Sequence, residues 1–260
     1  MRISKLAFAA LLALIAVTVP TPGSYIITPS GGAIFPSSST PSTGTSTPAG
    51  NTGTGVNVSV TLTPLPTVGS IVVVGFAAVS AQQSFKVTDN QSPSNAYSWL
   101  YLFQNDESLT NPRVAVFCSV VKVSSGTFTV TANSVTAGSG KFVVAKEYKN
   151  GTCNLDAVSP GAIGNTHPYS CGSLTTGNAK DILIAIVGQS FGGGGTNTAT
   201  APTGFTVIAT QTNGNVVATG SMAHQITSAT GTFNGTYDLT NVLQPSVNNT
   251  VCGQLALMSH

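Results

Sequence analysis

Seven carboxylates carry all the side-chain acid in this chain: Asp89, Asp106, Glu107, Glu147, Asp156, Asp181 and Asp238. Glycoside hydrolysis needs two carboxyl groups facing one bond. Glu147 could pair with Asp89 or Asp106 across a sheet face, but no motif fixes such a pair, and the E-x-D-x-x-E array of sandwich hydrolases is absent. The histidines are His167, His224 and His260. A nucleophilic triad would need one of the first two beside a serine and a supporting aspartate, and no G-x-S-x-G turn is present. His224 shares strand spacing with Met222 and Ile226, which reads as a satisfied core or sheet-face histidine; His167 reads as an exposed loop residue. Asp89-Asn90 and Asn105-Asp106-Glu107 read as turns rather than calcium ligands. Gly192–Gly195 lacks the GK[ST] that makes a phosphate cradle and reads as a hairpin tip. No catalytic residue, metal or cofactor is expected.

Two other sets of residues carry chemistry. Tyr97, Trp99, Tyr101 and Phe103 alternate, so on a regular strand they share one face. Exposed, such a row stacks on sugar rings; turned inward, it is core. Tyr97, Trp99 and Tyr101 are the candidate ligand-binding residues. The cysteines are Cys118, Cys153, Cys171 and Cys252, with no CxxC pattern. An even count in an exported chain argues for disulfides. The expected pairs are Cys153–Cys171, closing a polar excursion, and Cys118–Cys252, joining two strands.

The elements that must position these groups are strands. Val56, Val58, Val60 and Leu62 alternate with polar residues. Short apolar runs follow at Ile71–Ala78, Val114–Val121, Phe142–Ala145, Ile182–Val187 and Leu255–Met258, bounded by Gly, Asn, Ser or Pro. The order of features also repeats. A first set runs PTVGSIVVVGFAAV, VAVFCSVVKVSSGTFTVTAN and GKFVVAKEYKN; a second runs TTGNAKDILIAIVGQS, VATGSMAHQITSATGTFNGTYDLT and CGQLALMSH. The expected fold is all-β, an antiparallel two-sheet sandwich, jelly-roll-like, built from two similar four-strand halves.

Upstream, Arg2 and Lys5 precede an apolar run from Leu6 to Val19, closed by Pro20. The run is shorter than the roughly 20 residues of a spanning helix and reads as an export signal, residues 1–23. Residues 24–55 read as a disordered Ser/Thr/Pro/Gly linker, and 56–260 as the sandwich. Charged residues are 6% of the chain and the net charge is +2, against about 25% charged in ordinary domains. No basic stripe is available to neutralise phosphates, so nucleic acid is not an expected partner.

Thr176 to Val187, Pro202-Thr-Gly-Phe205, Ser228-Ala-Thr-Gly-Thr232 and Gln254 to Met258, with Glu147-Tyr148 and Asn150-Gly151 closing the first half, form a pattern. It resembles a jelly-roll or concanavalin-like β-sandwich domain of secreted bacterial and phage-associated proteins, from about Pro64 to His260. The resemblance implies a fold and no catalytic residue; the cysteines lie outside it. The function expected is a secreted or cell-surface, non-catalytic sandwich for adhesion, carbohydrate contact or extracellular structure, with surface glycans or extracellular proteins as partners and no membrane span in the body. The alternatives are a secreted jelly-roll carbohydrate-active enzyme and a fibre or pilus subunit. A smooth Thr/Asn-lined face would favour the first; carboxylates converging in a groove would favour the enzyme.

Overall fold

The structure, a computed structural model, describes residues 39–53, 55–79, 85–104, 112–133, 140–164, 168–189, 197–212, 219–241 and 250–260. Residues 1–23, read above as an export signal, half of the 24–55 segment, His167, Asp106, Glu107 and Gly192–Gly195 lie outside them. Residues 38–260 form one compact unit.

Its first half holds β1 (Ser42–Thr43), β2 (Ala49–Gly53), β3 (Asn57–Leu62), β4 (Ile71–Val79), β5 (Lys86–Asp89), β6 (Ser98–Gln104), β7 (Pro112–Val120), β8 (Phe128–Asn133) and β9 (Lys141–Lys149). The second holds β10 (Gly151–Gly164), β11 (Tyr169–Thr175), β12 (Ile182–Gln189), β13 (Asn197–Thr200), β14 (Thr206–Thr212), β15 (Thr219–Ile226), β16 (Thr232–Asn241) and β17 (Thr250–Ser259). All the described pairings between these strands are antiparallel.

In the first half a six-stranded large sheet runs β2-β9-β4-β7-β6, with β1 also paired to β9 and standing outside the repeat, and a small sheet runs β3-β8-β5. In the second the large sheet runs β10-β17-β12-β15-β14 and the small one β11-β16-β13. Adding eight to each strand number converts the first set into the second. The first strand of each set pairs with the last and the third with the sixth, a jelly-roll-like order. The sequence repeat is therefore real but larger than four strands. Each half has a large and a small sheet of its own, and does not need the other half to supply an edge.

The sheets stack small, large, large, small. Within the first half, Val72, Val74 and Phe76 of β4 pack with Val58, Val60 and Leu62 of β3 and Phe128 and Val130 of β8. The opposite face of the same strand, Ile71, Val73 and Ala77, packs with Ile182, Ile184, Ile186, Met222 and Leu255 of the second half. This explains the unbroken apolar runs: both large sheets are covered on both faces, so neither parity of residue meets water. Gly75 lies at the centre of this interface. A Cβ there would sit 2.7 Å from the Met222 sulfur and 2.8 Å from Ile186 Cδ1, so a side chain at this position would have to displace the ends of those two. The second half is completed by Tyr169, Cys171, Val187, Tyr237 and Cys252, and by Leu174, Leu183 and Ala256.

Two expectations are corrected. The spacer does not extend to Gly55: β1 and β2 lie within it and pair with β9, from Ser42↔Lys149 to Gly53↔Lys141. These edge strands contribute backbone hydrogen bonds, which need no apolar side chains. Gly44 crosses directly over the Glu147 carboxyl, where a Cβ would collide with it. The cysteines pair as Cys118–Cys153 and Cys171–Cys252, with Cα separations of 5.6 and 4.5 Å, rather than Cys153–Cys171 and Cys118–Cys252. The first bond joins β7 to β10 and so ties the halves together. The second joins β11 to β17, small sheet to large. The physical reason is the stacking itself, which brings β10 against β6 and β7.

Candidate functional site

The small sheets are outermost, and their outward faces are the most regular surfaces on the described residues. On β3 and β8 burial alternates strictly, apolar side chains inward. Outward stand three cross-strand rows: Asn57 with Asn133, Ser59 with Thr131, and Thr61 with Thr129. β5 extends two of them, Lys86 beside Asn133 and Thr88 beside Thr131. The second half repeats the pattern with Ser170–Thr236, Ser173–Asn234 and Thr175–Thr232. Hydroxyls bond across the strands: Ser59 to Thr131 at 2.8 Å, Thr61 to Thr129 at 3.0 Å and Thr175 to Thr232 at 3.0 Å. Each such pair uses one hydrogen and one lone pair, leaving the second hydrogen and further lone pairs for an external group. The charged residues of these six strands are Lys86, Asp89 and Asp238.

The aromatic row falls differently. β6 is the edge strand of the first large sheet, and a register shift separates Trp99, opposite Phe117, from Tyr101, opposite Val116. The side chains of residues 98–104 lie outside the described residues. Tyr97 is half-buried against the first-half core. Burial and the neighbouring Asp89 hold its phenol well above the ordinary range.

Of the carboxylates singled out in the sequence for a hydrolytic pair, Asp89 and Glu147 are among the described residues, and each is engaged in its own local hydrogen bonds. Asp89 builds a turn, accepting Gln91 N at 3.1 Å, Asn95 N at 3.1 Å and Asn95 Nδ2 at 2.7 Å. Glu147 is fully buried and accepts Ser46 N at 3.0 Å and Thr67 N at 2.7 Å. Burial pushes its carboxyl up, but these bonds and the Ser70 and Ser46 hydroxyls outweigh it and hold it below the usual range. Its work is to pin the segments that enter β2 and β4.

The structure does bring together one pair that sequence reasoning missed, Asp156 and Asp181. Asp156 is the extra residue of a bulge in β10, between Leu155↔Leu257 and Ala157↔Ala256. It accepts Gly177 N at 2.6 Å, Asn178 N at 3.2 Å and Asn178 Nδ2 at 2.6 Å. Asp181, at the start of β12, is fully buried. Burial and the adjoining Asp156 push its carboxyl up to about 7. Neither Asp181 carboxyl oxygen has a hydrogen-bond partner, whereas the Asp156 oxygens are taken up by Gly177 and Asn178. No sequence signal marked them, because a bulge has no signature in strand periodicity.

His224 faces the first half, its ring centroid 5.5 Å from that of Tyr148, with Lys146 Nζ 5.9 Å from the Tyr148 ring. Its buried Nδ1 and the Tyr148 hydroxyl have no hydrogen-bond partner, so the expectation of a satisfied histidine is corrected. Burial, then the Lys146 charge, lowers its pKa to about 4. Among the described residues no group of three or more His, Cys, Asp or Glu could hold a metal ion, and no helix is long and apolar enough to cross a membrane. Comparison of the chain with family models, with curated proteins and with solved structures finds no match.

Proposed function

We propose that this chain is an exported, non-catalytic contact protein whose two outer sheets bind neutral glycans. The observation that carries the reading is the pair of Ser/Thr/Asn faces, one on each half, matched in strand position. A polyhydroxyl ligand exchanges hydrogen bonds with hydroxyls and amides and needs no ionic partner. Faces with so little charge suit neutral chains over polyanions. Two copies on one chain would raise retention on a polymer through effective concentration when the ligand spans both. The two disulfides fit an oxidising compartment, which agrees with the signal-like segment at residues 1–23.

The test is a glycan array of the purified body, with Thr129→Lys/Thr131→Lys on one face and Thr232→Lys/Asn234→Lys on the other. The expected result is retention of neutral glycans, reduced by either double variant with unchanged thermal unfolding. Retention that survives both double variants and disappears with Trp99→Ala would move the contact to β6. Turnover of a polysaccharide, lost on Glu147→Gln with the fold intact, would replace the reading with a carbohydrate-active enzyme.

A further inference from the structure

Lys146, Tyr148 and His224 stand together at the seam between the halves. Lys146 falls between Val144 and Tyr148 on β9, both of which face the second half, so it shares their face. His224 comes from β15, two residues beyond Met222, on the face turned to the first half. Tyr148 is fully buried and Lys146 is 8% exposed. Neither the Tyr148 hydroxyl nor the buried His224 Nδ1 has a hydrogen-bond partner. The Lys146 ammonium lies 5.9 Å from the centre of the Tyr148 ring, and the imidazole centre lies 5.5 Å from it. Each of the three can donate a hydrogen: the ammonium, the phenol, and the imidazole Nδ1 in one neutral tautomer. We propose that this cluster binds a small monovalent anion of halide size, which bridges β9 of one half to β15 of the other.

Charge supports the site. Among the described residues, the strands paired with β9 or packed on it are β1 to β4, β14 and β15, and none of them carries a carboxylate. Glu147, the carboxylate of β9 itself, alternates to the opposite face and is taken up by Ser46 N and Thr67 N. A buried ammonium with no counter-charge on its own face is costly. Burial draws it toward its neutral form, against the pull of Glu147. An anion among the three donors removes that cost. One negative charge balances one lysine, whereas a divalent oxyanion would leave a surplus. Water would satisfy the donors but leave the charge unbalanced.

The repeat shows that the fold does not require polar groups here. Ser70 and Asp181 are equivalent in the two halves, since their carbonyls accept Val121 N and Thr227 N respectively, each at 2.9 Å. In that register Val73 corresponds to Ile184. Val73 pairs with Lys146 and Cys118, and Ile184 with Leu255 and His224. Ile71 pairs with Tyr148, and Ile182 with Leu257. Exchanging the halves therefore places Leu255, Leu257 and Cys118 where Lys146, Tyr148 and His224 stand. One side of the seam is apolar and is closed covalently by Cys118–Cys153. The other side is polar, and the anion closes it. The site is independent of the outer sheet faces and of their ligand.

The test uses the full, disulfide-bonded chain at pH 6, where the imidazole is neutral. Sodium chloride replaces sodium gluconate at constant ionic strength, and chloride binding is read as broadening of the chlorine-35 resonance. The expected result is saturable broadening with the wild-type chain, and a melting temperature that rises with chloride over the same range. Tyr148→Phe keeps the ring and removes one donor, so it should weaken binding about tenfold, the effect of one hydrogen bond to a charged group. Lys146→Leu installs the residue found at the equivalent position and should abolish both responses. Should that variant fail to fold, Tyr148→Phe decides alone. Broadening that is unchanged in Lys146→Leu or in Tyr148→Phe would mean an adventitious ion only and would overturn the site. Absence of saturable broadening in wild type, or a melting temperature indifferent to chloride, would overturn it as well.

Discussion

Glu147 is as deeply buried as the valines beside it, yet its carboxyl is held acidic because two backbone N–H groups point at it. Glu147→Gln keeps the shape but turns one oxygen into a donor, so one of those N–H groups loses its acceptor. A loss of about 2 kcal/mol in urea unfolding at neutral pH is expected. The carboxylate's contribution is complete above its ordinary value of 4.5 and is lost as pH falls through its lower folded value, so the gap to wild type should narrow in acid. His224 should behave as a second acid-sensitive point. Neutral when folded, it contributes stability that is complete above pH 6.5 and is lost as pH falls toward 4. His224→Phe should keep its melting temperature over that interval while wild type loses some. Equal slopes for the two proteins would show that the imidazole stays solvated. Both residues were visible in the sequence as isolated ionisable groups. Their roles were not, because an acceptor's partners come from Ser46 and Thr67, far away along the chain.

At the scale of elements, apolar runs marked β4, β7, β9, β12 and β17 directly, since a strand covered on both faces has no polar parity to hide it. β2 escaped notice because AGNTG contributes only backbone to the edge of β9. β10 read as a polar excursion because three register shifts scramble its alternation. The cysteine pairing failed for a related reason: which strands are neighbours depends on the stacking of halves, and spacing along the chain contains no record of it. The pairing is directly testable. A peptide map without reduction should return Cys118 with Cys153 and Cys171 with Cys252. Cys118→Ser/Cys153→Ser releases a closure spanning 35 residues, worth at most about 4 kcal/mol in the chain-entropy account. The double variant should still fold, because the apolar interface between the halves remains.

That interface governs the whole molecule. β4 lies over β12, β7 over β17, β9 over β15, and β2 and β6 over β14 and β10. Exchanging the halves maps these contacts onto themselves, so the chain is arranged like a homodimer joined at Asn150-Gly151, with a pseudo-twofold axis between β4 and β12. Each half separately would expose its large-sheet face: Ile71, Val73, Val114, Val116, Phe142 and Val144 on one side, Ile182, Ile184, Ile186, Met222, Leu255 and Leu257 on the other. At about 25 cal/mol per Å², faces of this kind are strongly driven together. Chains 1–150 and 151–260, produced together under reducing conditions, should co-purify and unfold in a single transition. Either produced alone should self-associate, since its apolar face accepts a face of the same kind. Gly75→Leu should weaken the association, because Met222 and Ile186 occupy the space its side chain needs. Two halves that stay monomeric and fold independently would show that the stack is held by its connection and its disulfide, and that the apolar faces contribute little.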